Sequence, residues 1–468
     1  MHVVIDGLSL GIDDVVAVAR GSSGAGGQAS WATVELAPAA RARVARASEF
    51  VESLLRRDRP VYGVTTGFGR FADVVISAAD SAELQRNLLL SHACGVGELL
   101  PEETVRAILL LRANALALGH SGVRPEVVDT LLAMVNRGVH PAVPSQGSVG
   151  ASGDLAPLAH AMLVLIGEGQ AVYQGKLVPG AEAMAAAGIA PITLRAKEGL
   201  ALINGTQRPH EGQQVSAANI LSLMDGSEIR QSHIDCPRVQ DAYSLRCAAQ
   251  VHGASRDAIA YARRVVETEI NSATDNPLLF PEDGDVISAG NFHGEPVAMA
   301  MDFLGIALAE LASISERRIE RMVNPQLSGL PPFLTEHGGL NSGMMIAQYT
   351  AAALVSENKI LASPAVVDSI PTSGNQEDHV SMGTIGARKA RQIADNVANV
   401  LAIEVLAACQ GIDFRAPLRP GRGTSAVYQL VRQDIAHLER DREIAPDIAA
   451  VRHLITSGAL ERAAQGVS

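Results

Sequence analysis

The residues with the most distinctive chemistry are Ala151, Ser152 and Gly153, in a glycine-rich stretch that runs from Gly147 to His160. Small side chains let the backbone fold back on itself, so the amide nitrogen of Gly153 could attack the carbonyl carbon of Ala151. Loss of two water molecules, one from the Ser152 hydroxyl, would leave a five-membered ring with an exocyclic methylidene group. Such a ring is a strong electrophile, which no standard side chain supplies. The stretch therefore predicts a cofactor precursor within the chain.

The tripeptide is placed at the start of a helix by the residues that follow it. The apolar run from Leu155 to Ile166 predicts a buried helix, with Asp154 as a capping residue and Pro157 in the first turn. Ser152 then lies at the positive end of the helix dipole. The stretch matches neither a nucleophile elbow, a Walker loop nor a dinucleotide fingerprint. Taken alone, it could also be a glycine-rich helix entry that positions nothing.

Six other segments place polar or aromatic side chains in loops between apolar helices. Each by itself is compatible with an ordinary turn or a packed structural residue. They are Tyr62-Gly63-Val64-Thr65-Thr66-Gly67-Phe68-Gly69, Ser91-His92, Asn204-Gly205-Thr206-Gln207, Arg238-Val239-Gln240-Asp241-Ala242-Tyr243-Ser244-Leu245-Arg246-Cys247, Gly290-Asn291-Phe292-His293-Gly294, and Asn375-Gln376-Glu377-Asp378-His379-Val380-Ser381-Met382-Gly383.

Together with the glycine-rich stretch, these segments resemble the signature motifs of the aromatic amino acid ammonia-lyases and aminomutases. The resemblance extends from about the start of the chain to about Gln410. In this family an Ala-Ser-Gly sequence cyclises to 4-methylidene-imidazol-5-one (MIO). The resemblance implies that MIO forms from Ala151-Ser152-Gly153, and that the chain needs neither a metal nor an external cofactor.

The resemblance also implies a role for each matching side chain. Tyr62 would lie on a mobile lid as general base or proton relay, and Arg246 would hold the substrate carboxylate in two places. The full expected set is Tyr62, Ala151, Ser152, Gly153, Asn204, Tyr243 and Glu377 for catalysis, and His92, Gln240, Arg246, Phe292 and Gln376 for substrate binding.

Two positions favour histidine as the substrate. The Ser91-His92 pair is the one associated with histidine in this family, and the carboxylate of Glu377 can accept a hydrogen bond from an imidazole N–H. Elimination of ammonia would then give urocanate. Three other readings remain open: Glu377 as a helix-capping acid, the same chemistry on tyrosine or phenylalanine as a lyase or 2,3-aminomutase, and an inactive structural homologue.

Composition narrows the class of protein. The 468 residues are 47% hydrophobic but only 3% aromatic, which favours closely packed long helices over sheets. A formal charge of −12 argues against a nucleic-acid or anionic-membrane partner and leaves a small molecule as the expected partner, which the resemblance implies to be an amino acid. Four cysteines without C-x-x-C spacing, and no signal-like N-terminus, predict reduced thiols in a cytoplasmic protein. His233, Asp235 and Cys236 have no common metal-site spacing.

The expected fold is mainly α, a long-helix bundle of the fumarase/aspartase-like ammonia-lyase superfamily with a smaller mixed N-terminal part. We divide the chain into residues 1–200 with the lid and the Ala-Ser-Gly precursor, a central bundle at 201–410, and a C-terminal helical segment at 411–468. Family members assemble as homotetramers with shared active sites. This chain departs from the family where Gln207 is followed at once by Arg208, since relatives have several dozen residues there. A helix pair is therefore expected to be missing.

Overall fold

The structure is a computed structural model that describes residues 2–20, 22–23, 29–56, 60–68, 71, 74–77, 79–148, 154–204, 211–234, 240–274, 276 and 278–466. The chain divides into two compact units, one of residues 1–208 and 237–240 and the other of residues 209–236 and 241–468. The described residues form nineteen α-helices and eleven short strands. The mainly α fold predicted from composition is confirmed.

The helices of the first unit end close to the positions that their sequences indicate. Helix α5 begins at a proline and ends at Gly138, whose positive φ of 70° lets its N–H bond the carbonyl of Met134. The helices of this unit are α1 (Ile12–Arg20), α2 (Pro38–Leu54), α3 (Ser81–His92), α4 (Glu102–Ala117), α5 (Pro125–Arg137), α6 (Leu155–Leu165), α7 (Gly180–Ala186) and α8 (Glu198–Ile203).

The strands of the first unit form small sheets around these helices. One hairpin turns at Gln174-Gly175, and both residues have the positive φ that a tight two-residue turn requires. The pairs are parallel β1 (His2–Ile5) with β4 (Thr33–Leu36), antiparallel β2 (Ser22–Ser23) with β3 (Ala29–Ser30), antiparallel β5 (Val96–Leu99) with β7 (Pro144–Gln146), and the antiparallel sheet β6 (His140–Pro141), β8 (Gln170–Tyr173), β9 (Lys176–Pro179).

The second unit is a helical bundle built around two long helices. These are α13 (Glu295–Val323), with 29 residues, and α16 (Gly383–Asp413), with 31. The other elements are α9 (Glu211–Leu223), α10 (Glu228–Gln231), α11 (Tyr243–Arg246), α12 (Ala248–Glu269), the antiparallel strands β10 (Leu278–Phe280) and β11 (Asp285–Ile287), α14 (Pro325–Ser328), α15 (Met345–Leu361), α17 (Arg422–Asp434), α18 (Ala445–Thr456) and α19 (Ala459–Gln465).

Helices α13 and α16 are long and apolar enough, by length and composition alone, to cross a membrane. In this unit they pack against each other and bury polar side chains that have partners. Asp302 accepts hydrogen bonds from the backbone N–H groups of Ala365 (2.7 Å) and Val366 (2.8 Å), and Glu316 accepts one from Gln348 (2.9 Å). This packing is typical of the central helices of a bundle.

Each unit has its own apolar core. In the first unit it is formed mainly by α4, α5 and α6, with Leu116, Leu131 and Met162 fully buried. In the second unit Ile393 and Ile403 of α16 share a core with Val431 of α17 and Val451 of α18. Helix α16 continues through Gln410, so the residues after this position pack on the same bundle.

Candidate functional site

Ala151, Ser152 and Gly153 lie outside the described residues, which end at Ser148 and resume at Asp154. Ser148 donates a hydrogen bond of 2.6 Å from its hydroxyl to the Asp154 carboxylate. Asp154 is the N-cap residue of α6, as expected, but its side chain makes no hydrogen bond to the helix backbone. The carboxylate binds Ser148 instead and ties the two ends of the intervening segment together.

The strand that follows His92, β5, pairs with β7, which directly precedes the glycine-rich stretch. His92 is the last residue of α3, and its Nδ1 lies 3.0 Å from the Ser91 hydroxyl. Gly147 has a φ of 130°, and a Cβ atom there would lie only 3.1 Å from the Cα of Gly95. The positive φ and this close approach together favour glycine at position 147.

His160 strengthens the same contact, although the sequence analysis gave it no role. Its Nε2 accepts a hydrogen bond of 3.0 Å from the backbone N–H of Gly95. Burial lowers the pKa of His160, which keeps the ring neutral and able to accept this bond. A polar histidine in the apolar helix that follows the tripeptide could have been selected as a candidate from sequence alone.

Tyr62 and Asn204 belong to neighbouring elements of the first unit. The ring of Tyr62 stands edge-on to Phe68, with 6.4 Å between centroids, and packs on the apolar core. The next residue, Gly63, has a φ of 67°, and a Cβ there would clash with Leu200 of α8 at 2.3 Å. Asn204 directly follows α8. The base of the expected lid therefore lies against the helix that ends at Asn204.

The backbone of Asn204 is held by Arg112, a residue the sequence analysis did not select. Arg112 donates a hydrogen bond to the Asn204 carbonyl oxygen, and its side chain is almost fully buried in α4. Burial lowers the pKa of this guanidinium to about 10. Burial and the Arg112 charge also lower the pKa of Lys197. The sequence could have indicated this role, because Arg112 is a charged residue on an otherwise apolar face of a helix.

Arg246 is presented on the short helix α11 in the second unit. Its Nε donates to the Asp241 carbonyl oxygen at 2.9 Å, and its guanidinium carbon lies 4.6 Å from the centre of the Tyr243 ring. Among the described residues nothing else binds its terminal amino groups, which are the fork that a carboxylate occupies. Gln240 precedes this segment and groups with the first unit.

Phe292 and Glu377 lie on two loops of the second unit that contact each other. His293 lies with its Nε2 3.1 Å from the His379 carbonyl oxygen, and the two histidine rings have centroids 5.6 Å apart. Glu377 is the residue after Gln376, and its carboxylate accepts a hydrogen bond from the Thr372 hydroxyl at 2.5 Å. The Phe292 ring is 53% exposed. Phe292, Gln376 and Glu377 are therefore exposed on two loops that contact each other through His293 and His379.

Metal ligation has no support in the part of the chain that the structure describes. No group of three or more His, Cys, Asp or Glu side chains there could hold a metal ion. Asp235 and Cys236, which were considered with His233, lie outside the described residues. The chemistry of the described candidates is that of hydrogen bonding, charge pairing and ring packing.

A structure comparison defines the class of protein. A tyrosine aminomutase from Streptomyces globisporus matches with a TM-score of 0.53 and 37% identity over 100% of this chain and 99% of that chain. The mainly helical fold is thus similar to that of a solved aminomutase. The family model "Aromatic amino acid lyase" matches residues 10–208 and 207–433. The chain belongs to the aromatic amino acid lyase family.

Sequence relatives extend over nearly the whole chain. A histidine ammonia-lyase from Caldanaerobacter subterraneus subsp. tengcongensis is 56% identical over 506 positions, which cover 98% of this chain and 97% of the relative. Another from Alkaliphilus oremlandii is 52% identical over 510 positions, covering 99% and 98%. Both alignments have more positions than this chain has residues.

Proposed function

We propose that this protein catalyses the non-oxidative elimination of ammonia from L-histidine to give urocanate. The observation that carries the proposal is the Glu377 carboxylate, held on a closed loop beside the Phe292 loop. A carboxylate suits an imidazole N–H and has no partner on a phenyl ring. The histidine ammonia-lyases that are more than half identical to this chain support the same substrate.

Substrate binding is proposed for the following side chains. Arg246 binds the substrate carboxylate through its two terminal amino groups, because a planar guanidinium matches a carboxylate in two places. Phe292 packs on the imidazole ring, and Glu377 accepts its N–H. Gln376, Gln240 and Tyr243 complete the surface around the ring. His92 contributes to the choice of side chain, supported by the pairing of the strand that follows it with the strand that precedes the glycine-rich stretch.

The cofactor is proposed to be MIO, formed from Ala151-Ser152-Gly153 without an external group. The described residues fit this group, because the Ser148–Asp154 hydrogen bond brings the two ends of the precursor segment together and Gly147 lies against Gly95. When formed, MIO supplies an electrophile for the substrate, whose amino group is otherwise a poor leaving group.

Proton transfer and orientation are assigned to residues of the first unit. Tyr62 takes or relays the β-proton of the substrate, and its loop moves to admit substrate and exclude water. Glycines on either side of Val64-Thr65-Thr66 permit this motion. The Asn204 amide contacts substrate and ring, supported by the Arg112 hydrogen bond that fixes its backbone.

Assembly as a homotetramer with shared active sites is also proposed, in the cytoplasm. Support comes from apolar side chains exposed on the bundle of the second unit. Met299, Phe303 and Ile306 follow one face of α13, and Ile346 and Tyr349 do so on α15. Exposed apolar rows of this kind are typical of surfaces that other subunits cover. Phe292 and Tyr243 are exposed in the single chain and would be enclosed in the same way.

Two alternatives are retained. A tyrosine or phenylalanine ammonia-lyase or 2,3-aminomutase is supported by the 37% identical tyrosine aminomutase structure. An inactive homologue is supported by the break in the family match between residues 207 and 208.

The test is incubation of the purified protein with histidine, tyrosine and phenylalanine in turn, with product formation followed by ultraviolet absorbance. We expect urocanate from histidine. Mass spectrometry of the peptide spanning Ala151 to Gly153 is expected to show the loss of two water molecules. Ser152→Ala, the control, should keep the fold and abolish turnover. Product only from tyrosine or phenylalanine would support the first alternative, and an unmodified peptide in folded protein the second.

A further inference from the structure

The loop that carries Glu377 is closed by its own backbone. Thr372 and Glu377 face each other as an antiparallel bridge, with N–H to carbonyl distances of 2.9 Å from Thr372 to Glu377 and 3.3 Å in return. Between them, Ser373, Gly374 and Asn375 all have positive φ angles, of 51°, 64° and 72°. Directly opposed residues in such a bridge have side chains close enough to interact.

The Thr372 hydroxyl makes use of this proximity. Its oxygen lies 2.5 Å from Oε2 of Glu377, and because an ionised carboxylate only accepts hydrogen bonds, the hydroxyl is the donor. Hydrogen bonds to charged acceptors are shorter and stronger than neutral ones. Among the described residues, Oε1 of Glu377 has no such donor. The bond thus fixes the rotation of the carboxylate and leaves one oxygen available.

We propose that Thr372 is a positioning residue that orients Glu377 so that Oε1 receives the imidazole N–H of the substrate. The inference rests on the proposed function. The two backbone bonds close the loop without the hydroxyl, so the hydroxyl acts on the direction of the carboxylate rather than on the path of the chain. Branching at Cβ restricts the Thr372 side chain to few rotamers, which favours a fixed donor.

The variants Thr372→Val and Thr372→Ser separate these two roles. Valine keeps the shape of threonine and loses the donor, whereas serine keeps the donor and loses the methyl group. We expect Thr372→Val to lower kcat/KM for histidine about 10-fold, as for loss of a hydrogen bond to a charged group, and Thr372→Ser to stay within about 2-fold of the parent. In a chain that already carries Glu377→Gln, Thr372→Val should lower kcat/KM by less than about 2-fold further, because the two residues act through one interaction.

Affinity for L-histidine, measured by calorimetry in the Ser152→Ala background, gives a readout that does not require turnover. Thr372→Val should weaken this affinity about 10-fold, and Thr372→Ser should restore it. The role of the hydroxyl would be overturned if both variants bound histidine as tightly as the parent, or if both lost affinity to the same extent. Either result would count even if the chain with Ser152 intact turns over histidine. The role would also be overturned if Thr372→Val lowered kcat/KM by the same factor in the Glu377→Gln variant as in the parent, because the two residues would then act independently.

The affinity arm also distinguishes this inference from the proposed function. Suppose that histidine binding depends on the Thr372 hydroxyl but the chain with Ser152 intact does not turn over histidine. Thr372 would then still orient Glu377, and only the proposed activity would be rejected. Absence of histidine binding in the parent would reject both.

Discussion

Glu377 is the residue whose charge most sharply divides the possible substrates. An imidazole N–H gains a charged acceptor from it, whereas a phenyl ring gains only the cost of burying that charge. The neighbouring Asp378 is also an exposed acid, but no described residue makes a side-chain bond to it. The two acids therefore differ in their environment and not in their charge.

At the residue scale we predict that Glu377→Gln lowers kcat/KM for histidine about 10- to 100-fold, because a charged acceptor is replaced by a neutral one of nearly equal shape. Steady-state kinetics with histidine is the measurement. Asp378→Asn is the matched control, with the same loss of charge one residue away, and should remain close to the parent. An unchanged rate in Glu377→Gln, or an equal loss in Asp378→Asn, would show that Glu377 has only a structural role.

At the scale of secondary-structure elements, one buried arginine links several elements of the first unit. Arg106 of α4 donates to the carbonyl oxygens of Val18 on α1 (2.9 Å) and Val135 on α5 (2.8 Å). It also lies 3.4 Å from the centre of the Trp31 ring and 3.2 Å from Nε2 of His140 on β6. A single side chain thus joins two helices and a strand to the helix that carries it.

His140 must be neutral in this arrangement. Its Nε2 accepts from Arg106, and its Nδ1 lies 3.1 Å from Glu102. Burial, with the Arg106 charge, lowers the pKa of His140 from 6.5 to about 4. Glu102 favours the protonated ring, but its side chain is 45% exposed and solvent screens it, whereas Arg106 is buried.

At this scale we predict that stability falls between pH 6.5 and pH 4. The unfolded chain binds a proton at His140 as the pH falls below 6.5, and the folded chain does not until about pH 4, so stability is complete above 6.5 and is lost on acidification. The loss from this group is up to about 3 kcal/mol. His140→Gln should reduce the pH dependence of Tm in this window, as measured by thermal unfolding from pH 7.5 to pH 4.5.

The matched control for this experiment is His120→Gln, at an exposed histidine of the same unit. It should keep the pH dependence of the parent chain. If both variants follow the parent, acid sensitivity originates elsewhere in the molecule.

At the scale of the whole molecule, the junction of Gln207 and Arg208 is the main departure from the family. The family match breaks there into residues 10–208 and 207–433, and the long first segment of the first unit also ends at residue 208. An alignment of 506 positions on a chain of 468 residues leaves at least 38 positions of the relative without a counterpart here. Helix α9 follows this junction, and its Leu221 is 62% exposed. We propose that a helix pair that covers such apolar residues in relatives is missing.

We predict that inserting the corresponding segment of a relative between Gln207 and Arg208 raises Tm, tetramer content and turnover. An uncovered apolar patch costs roughly 25 cal/mol per square ångström, so a modest patch amounts to several kcal/mol against a typical stability of about 5 to 15. Size-exclusion chromatography with light scattering, thermal unfolding and the histidine assay are the measurements.

A glycine- and serine-rich insert of equal length is the control and should raise none of these quantities. A stable tetramer with normal turnover in the original chain would contradict the prediction, because it would mean that the remaining helices have repacked.

The helices and the hairpin at Gln174-Gly175 could be predicted from sequence because local spacing of apolar residues and local backbone preferences determine them. The identity of the candidate site residues, Glu377 and Arg246 among them, was likewise available from sequence motifs. Their functional roles remain proposals.

The partners of the polar side chains were decided only by tertiary structure. Asp154 binds Ser148 instead of its own helix, Arg112 reaches Asn204 across 92 positions of sequence, and His160 reaches Gly95 across 65. A hydrogen bond depends on separations of about 3 Å and on direction, and neither is encoded in the spacing of residues along the chain. Such contacts arise when helices and strands that are distant in sequence pack together, because packing determines which donor meets which acceptor.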